Sequence, residues 1–145
     1  FPGLVFRIKK PKTATLLFRS GKLVCTGAKA LDQVKQAVEL VVDSIRETGV
    51  TVDDYPEITV QNIVASADLG SPINLTSTVI SLGLERVEYE PEVFPGLVYR
   101  LDQPKVVMLL FGSGKLVCTG AKKPHDVEEA IEHIDAELRS ADLLR

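Results

Sequence analysis

The sequence predicts an α+β fold that arose by internal duplication, with antiparallel strands followed by amphipathic helices. Residues 1–30 and 94–123 align without a gap at a constant offset of 93, and 21 of the 30 positions are identical. Each copy contains three strand-like segments separated by Pro and Gly turn signals. Each copy then runs into a segment with apolar residues at helical spacing, which indicates a helix packed on the sheet.

The first copy is expected to form three strands and one helix. The strands are predicted over Leu4–Ile8, Thr13–Phe18 and Lys22–Thr26. Pro11 marks the first turn and Ser20-Gly21 the second, which is a tight hairpin. The helix is predicted over residues 31–45, because Leu, Val and Ile recur there at helical spacing, and it closes near Gly49.

The second copy is expected to belong to a longer unit of the order β-α-β-β-β-β-α. Val52–Pro56 is predicted to link two domains, residues 1–54 and 55–145. The second domain's elements are predicted as strand Ile58–Ala65, a helix from its Asn74 cap to Leu82, strands Val87–Tyr89, Leu97–Leu101, Val106–Phe111 and Lys115–Thr119, and a helix from Pro124.

Nothing ahead of the first copy corresponds to residues 58–93. We therefore expect an incomplete first repeat in a chain without its natural N-terminus. Two strands and a helix would be missing from that repeat, so we expect weakened function, marginal stability or both.

Charge is distributed unevenly along this chain of net charge −3. Residues 1–30 carry +7, residues 94–123 carry +4, and the remainder carries −14. This polarity favours a polyanionic partner at the repeat, although ordinary sorting of charge between strands and helices would also produce it. The sequence contains no apolar run of membrane-spanning length and no signal-peptide pattern.

The sequence does not predict a catalytic or metal centre. Cys25 and Cys118 occupy the same position of the two copies and are expected to be buried reduced thiols rather than a disulfide. His125 and His133 have no partner at metal-ligand spacing and are expected on a helix surface. No nucleophile, base and orienting group are arranged together, so neither an enzyme nor a cofactor is predicted.

Both faces of the repeated strands are apolar, whereas an antiparallel sheet with one solvated face alternates apolar and polar residues. Alternation groups Leu16, Phe18, Val24 and Thr26, and in the second copy Leu109, Phe111, Val117 and Thr119. The helices are too few to cover both faces, so one apolar face is predicted to be a binding surface. Its rim is basic and contains Arg7, Lys22, Lys29, Arg100, Lys115 and Lys122.

An apolar sheet with a basic rim suits the minor groove of DNA. The floor of an A·T groove presents acceptors and no amino group, so aliphatic side chains can pack there and Asn62 can donate to it. Phe can wedge into a base step, and cations neutralise the flanking phosphates. Two alternatives stay open: a protein-interaction module that uses the apolar sheet face, and a ligand-binding module, for which no set of converging polar groups is visible.

The repeated FPGLV(F/Y)R, LLF and SGKLVCTGAK segments resemble the TATA-box-binding protein family, in its archaeal form. The segments IVASADL and YEPEVFPGL resemble the family's second repeat. The resemblance covers nearly all 145 residues. It implies a pseudo-symmetric saddle, in which a curved antiparallel β-sheet carries helices on its convex face, with the first repeat incomplete.

The resemblance also implies residue roles, within a family for which minor-groove bending is already an established property. The intercalating residues would be Phe1, Phe18, Phe94 and Phe111. The minor-groove contacts would be Asn62, Val64, Leu16, Val24, Thr26, Leu109, Val117 and Thr119. The phosphate contacts would be Arg7, Ser20, Lys22, Lys29, Arg100, Ser113, Lys115 and Lys122.

The implied partners are double-stranded promoter DNA, transcription factor B and, through the preinitiation complex, RNA polymerase. Factor B would contact Glu90, Glu92 and Val93, in the loop before the second FPGL motif. The resemblance implies a general transcription factor whose full-length form binds DNA as a monomer, without a cofactor or a membrane. In an archaeon it would be a cytoplasmic protein associated with the nucleoid, and in a eukaryote it would be nuclear.

Overall fold

A computed structural model of the chain describes residues 3–52, 54–83 and 85–144. The elements follow in the order of three strands, a helix, a strand, a helix, four strands and a helix. The chain divides into two compact units, Phe1–Thr59 and Val60–Arg145. In the described ranges, no helix combines the length and apolar character needed to cross a lipid bilayer.

The first unit contains a three-stranded antiparallel sheet and one helix. The strands are β1 (Leu4–Lys9), β2 (Lys12–Leu17) and β3 (Leu23–Thr26), in the order β1-β2-β3. The helix α1 (Leu31–Glu47) packs against β2 and β3 through a stripe of small and branched residues. The predicted strands and helix of this unit are confirmed, with bounds that differ by one or two residues.

The second unit contains a five-stranded antiparallel sheet in the order β4-β8-β7-β6-β5. The strands are β4 (Ile63–Asp68), β5 (Val87–Glu88), β6 (Leu97–Asp102), β7 (Lys105–Leu110) and β8 (Lys115–Ala121), and the helices are α2 (Leu75–Leu82) and α3 (Pro124–Ser140). The predicted order β-α-β-β-β-β-α is confirmed. So is the cap of α2, where Asn74 Oδ1 accepts a hydrogen bond from the Ser77 N–H at 3.1 Å.

One face of this sheet forms the core of the second unit. Every second residue of β6 and β7 is buried there, together with Leu116, Cys118 and Ala121 of β8 and the apolar stripe of α3. Tyr99 on this face donates its hydroxyl to Glu137 Oε2 at 3.1 Å. Burial, with a further contribution from the Glu137 carboxylate, raises the pKa of Tyr99 to about 12. The α+β class predicted from the sequence is therefore confirmed in each unit.

The strand predicted over Ile58–Ala65 is wrong in its bounds. Branched residues at 58–60 favour a strand by propensity, but a strand forms only where a neighbour completes its ladder. The β8 ladder ends with Ala121 opposite Ile63, and at the other end Asp68 still pairs with Lys115. Asn62 consequently precedes β4 instead of lying within it.

Cys25 and Cys118 are free thiols in the structure. Cys118 is buried in the core of the second unit, and burial raises the pKa of its thiol. The prediction that both are buried is wrong for Cys25, which is half-buried. The smaller three-stranded sheet of the first unit offers its side chain fewer covering residues.

We expect Thr15→Val to stabilise the first unit by about 1 kcal/mol. Thr15 is fully buried in β2, and among the described residues its Oγ1 finds no hydrogen-bond partner. A buried hydroxyl without a partner carries a desolvation cost of about 1–3 kcal/mol, which a methyl group of similar shape avoids. Met108 fills the matching position of the second copy with an apolar side chain.

The measurement is the urea concentration at the midpoint of unfolding. It reports stability when the dependence of the unfolding free energy on urea concentration is the same in both proteins. Thr13→Val is the matched control, because Thr13 is also buried but donates its hydroxyl to the Pro11 carbonyl at 3.3 Å. We expect no stabilisation from that control. An equal gain from both substitutions would show that general hydrophobicity, rather than the unpaired hydroxyl, is responsible.

Candidate nucleic-acid interface

In the first unit, the predicted binding residues lie in cross-strand rows on the less buried sheet face. Leu16 pairs directly with Val5 on one side and Val24 on the other. The neighbouring row on the same face consists of Arg7, Ala14 and Thr26. An aliphatic row therefore adjoins a row that begins with a guanidinium and ends with a hydroxyl.

The second unit repeats both rows at the equivalent positions. Leu109 pairs with Val98 and Val117, and Val107 pairs with Arg100 and Thr119. The row of Leu109 here gains a polar residue on β4, where Ser66 faces Val117. The duplication seen in the sequence thus produces two similar faces, which differ at Ala14 and Val107 and in the additional Ser66 of the second unit.

These faces are not covered by the helices of their own units. Val5, Val24 and Val64 are exposed, and Val64 retains 65% of its accessible surface. Leu16, Leu109, Val117 and Thr119 are half-buried by their neighbours within the sheet. The uncovered apolar face predicted from strand alternation is therefore present in each unit.

The basic residues of the face differ between the two units in their surroundings. Arg100 Nη1 lies 3.2 Å from Glu88 Oε1, and Asp68 faces Lys115 across the β4–β8 ladder. In the described part of the first unit, no ion pair holds Arg7, Lys22 or Lys29. The first unit therefore presents free cations, whereas in the second unit carboxylates lie beside two of them.

Ser20 and Ser113 occupy equivalent turns and make equivalent contacts. Each Oγ accepts a hydrogen bond from the backbone N–H two residues later, at Lys22 and Lys115 respectively, with a distance of 3.4 Å in both cases. These bonds close the hairpin turns. Both serines are exposed, and their hydroxyl protons remain available as donors.

Phe94 and Phe111 form a pair at one end of the second unit's open face. Their ring centroids are 5.9 Å apart and the ring planes meet at 66°, an edge-to-face contact. Gly96 leaves room for the pair, since a Cβ there would lie 2.6 Å from Phe94 and 3.0 Å from Phe111. Phe18 is half-buried at the equivalent position of the first unit, and Phe1 lies outside the described residues.

Asn62 lies on the open face beside the end of β8. Its Nδ2 donates to Thr119 Oγ1 at 3.3 Å, and its Oδ1 accepts from the Gly120 N–H at 2.6 Å. The equivalent threonine of the first unit is placed differently, because Thr26 Oγ1 donates to the Ala14 carbonyl at 3.4 Å.

Glu90, Glu92 and Val93 form a separate exposed turn ahead of β6. The backbone N–H groups of Val93 and Phe94 both donate to the Glu90 carbonyl at 2.9 Å, which fixes this turn. Val93 retains 80% of its accessible surface. The turn lies outside the rows of the open sheet face.

Sequence reasoning did not identify four residues that shape this surface: Gly96, Gly120, Asp68 and Glu88. The two glycines stand in the repeated FPG and CTG segments, and their identity in both copies was the available signal. The two acids carry no comparable signal, because neither lies in the repeated stretch.

Comparison with known proteins identifies relatives along nearly the whole chain. The family model described as transcription factor TFIID, or TATA-binding protein, matches residues 1–48 and 57–141. TATA-box-binding protein 1 of Haloferax volcanii is 62% identical over 144 residues, which cover 99% of this chain and 76% of that protein. The TATA-box-binding protein of Archaeoglobus fulgidus is 58% identical over 99% of this chain and 79% of its own length. Among solved structures, Methanococcus jannaschii TBP superposes with a TM-score of 0.86 at 50% identity, covering 97% of this chain and 79% of that one.

Proposed function

We propose that this chain, which belongs to the TATA-binding protein family of transcription factors, binds A·T-rich promoter DNA in the minor groove as a general transcription factor. The observation that carries the proposal is the repeated pair of rows on the open sheet faces. Each combines an aliphatic row with a row that contains arginine and threonine. A surface of this kind matches a groove with a nearly flat, acceptor-lined floor between two phosphate walls.

The aliphatic rows are suited to the groove floor. Leu16 and Leu109 stand at the centres of their rows, each between two valines. Their side chains pack against base edges without demanding a hydrogen bond, so they favour A·T pairs only because the G·C amino group would obstruct them. Val64, Thr26 and Thr119 extend the same contact, and Asn62 supplies a donor.

The exposed cations and turn serines are suited to the phosphates. In this proposal Arg7, Lys22, Lys29 and Ser20 contact the backbone beside the first unit, and Arg100, Lys115, Lys122 and Ser113 contact it beside the second. The Glu88 carboxylate lies 3.2 Å from Arg100 Nη1 and already offsets part of the charge that Arg100 can present to a phosphate. We therefore expect Arg100 to contribute less affinity than Arg7.

DNA binding is tested by the salt dependence of affinity for an A·T-rich duplex. Each neutralised phosphate lowers the slope of log K against log salt by about 0.9, so we expect Arg7→Gln to flatten the slope by roughly one unit. Arg19→Gln is the control, because it removes the same charge from an exposed residue that is not among the proposed phosphate contacts. Binding to protein partners without salt-dependent DNA binding would favour an interaction module instead.

The exposed turn at Glu90, Glu92 and Val93 is proposed to contact transcription factor B, which would recruit RNA polymerase to the promoter complex. Its carboxylates and exposed valine lie off the sheet face, so DNA and a protein partner can bind together. We propose that the full-length protein binds DNA as a monomer within the archaeal nucleoid.

Glu92→Arg is expected to leave DNA affinity within about twofold while lowering factor B recruitment at least about tenfold. The substitution reverses a charge in the turn, and a like-charge contact in an interface costs several kcal/mol. Gel-shift titration measures the DNA complex alone and its supershift with factor B. Glu57→Arg makes the same charge change at another exposed position and should affect neither step. Equal loss of both complexes in Glu92→Arg would indicate misfolding.

A further inference from the structure

The Asn62 amide is held in one orientation by two hydrogen bonds. Its oxygen accepts from the Gly120 N–H at 2.6 Å, and its nitrogen donates to Thr119 Oγ1 at 3.3 Å. An amide nitrogen carries two N–H bonds, so one donor remains after the bond to Thr119. Rotating the amide by 180° would bring its NH₂ group against the Gly120 N–H, donor against donor. The backbone of β8 therefore selects which end of the amide faces outward.

A bulge in β8 makes the Gly120 N–H available for this bond. Ile63 pairs with Ala121 and Ala65 with Cys118, so β8 has one more residue than β4 between the two pairs. Gly120 has a φ of 102°, a conformation that side chains other than glycine rarely adopt. In such a bulge the extra residue leaves the regular ladder, and its N–H can bind a side chain instead.

We infer that Gly120 is a positioning residue for base selectivity, because it restricts Asn62 to the role of hydrogen-bond donor. The inference rests on the proposed function. A donor matches the A N3 and T O2 atoms of the minor groove, but it opposes the amino group of guanine. A freely rotating asparagine would turn its oxygen toward that amino group and accept from it. The bond to Gly120 removes this option, so the G·C pair is rejected more strongly.

Thr119 reinforces the same selection. Its Oγ1 accepts the Asn62 N–H, which leaves the hydroxyl proton free to be donated to a second acceptor. In the first unit Thr26 already donates its proton to the Ala14 carbonyl at 3.4 Å. The Gly27 N–H, at the position equivalent to Gly120, binds no side chain in the part of the chain that the structure describes. Among the described residues, the orienting contact is therefore found in the second unit.

The test compares three duplexes that differ only at the base pair beside Asn62, which is A·T, inosine·C or G·C. Inosine·C keeps the minor-groove acceptors and lacks the guanine amino group, so the ratio of inosine·C to G·C affinity isolates the response to that group. Gly120→Ala displaces the N–H by straining the backbone at positive φ, while the nearest atom to the added Cβ lies 3.6 Å away. Gly27→Ala is the matched control, with a φ of 89° and a nearest atom at 3.4 Å.

We expect wild type and Gly27→Ala to prefer inosine·C over G·C by the same factor, and Gly120→Ala to lower that factor about fivefold or more, within the usual cost of one mismatched pair. An unchanged factor in folded Gly120→Ala overturns the inference while leaving DNA binding intact. A wild type that does not prefer A·T-rich duplex at all would instead overturn the proposed function.

A second variant covers the case in which Gly120→Ala does not fold. Asn62→Asp keeps an oxygen for the Gly120 N–H and places an acceptor at the outward end. The added negative charge weakens the inosine·C and G·C complexes alike. The ratio of these two affinities therefore still reports on contact with the base. We expect the order to reverse, with G·C bound more tightly than inosine·C. Retention of the wild-type order would show that the outward end of this side chain does not face the base.

Discussion

Phe94→Ala and Phe111→Ala are each expected to weaken binding to an A·T-rich duplex at least about thirtyfold and to reduce the DNA bend. An aromatic side chain that anchors the centre of an interface typically costs about 2 kcal/mol or more of binding free energy when it is truncated to alanine. An inserted ring replaces base stacking at the opened step, whereas a methyl group is too small to do so. The open face would then contact a straighter duplex over a smaller area.

The contact between the two rings makes the expected losses interdependent. Their centroids lie 5.9 Å apart in an edge-to-face arrangement, and Gly96 leaves no Cβ to separate them. Removing either ring takes away a wall against which the other is held, and Phe94 is already 38% exposed. The double substitution should therefore cost less than the sum of the single ones, as for residues that act together.

A gel-shift phasing assay measures the bend, and titration of the same duplex measures affinity. Val93→Ala is the control within the same turn, because it removes an exposed apolar side chain adjacent to Phe94 but outside the ring pair. We expect that control to leave the bend unchanged. An unchanged bend in both phenylalanine variants would refute the wedge assignment, even if affinity fell.

The alternation of the repeated strands predicted the open faces because it depends only on a period of two. The same period holds wherever a strand is paired, so Leu16, Val24, Leu109 and Val117 could be assigned to one face from the sequence. The start of β4 could not be predicted in this way. Its first residue is fixed by the end of β8, more than fifty positions away in the chain.

The contacts of Asn62 depend on a register shift that leaves no pattern in the sequence. An extra residue in β8 places the Gly120 N–H beside the amide, and nothing in the CTGAK segment specifies its partner. The pairing of Arg100 with Glu88 was likewise hidden. The sequence predicted the short strand over Val87–Tyr89, but it did not predict that this strand pairs with β6, which brings Glu88 beside Arg100.

Leu110→Ala is expected to destabilise the second unit by about 3–4 kcal/mol, whereas Leu17→Ala, the equivalent change in the first unit, should cost about 1–2 kcal/mol. Leucine-to-alanine substitutions in a closed core lose the transfer free energy of the side chain and also leave a cavity. At a half-exposed site, the lost transfer free energy is smaller and so is the cavity that remains. The two leucines share strand position and chemistry, so the difference isolates how well each unit covers its sheet.

The structure supports this contrast through the neighbours of each leucine. Leu110 is 0% exposed and pairs with Leu97, also 0% exposed, and with Leu116, which is 1% exposed. Leu17 pairs with Leu4, which retains 64% of its surface, and with the half-buried Leu23. The row is the same in sequence, but in the second unit it forms part of the core beneath α3.

Native-state hydrogen exchange is the appropriate measurement, because it reports opening free energies for the amides of each unit separately. We expect Leu110→Ala to lower the opening free energies for β6–β8, and Leu17→Ala to lower those for β1–β3 by about half as much. Similar losses in both units would mean that the first sheet is covered as fully as the second. Leu4 would then have to be protected in solution, against its exposure in the structure.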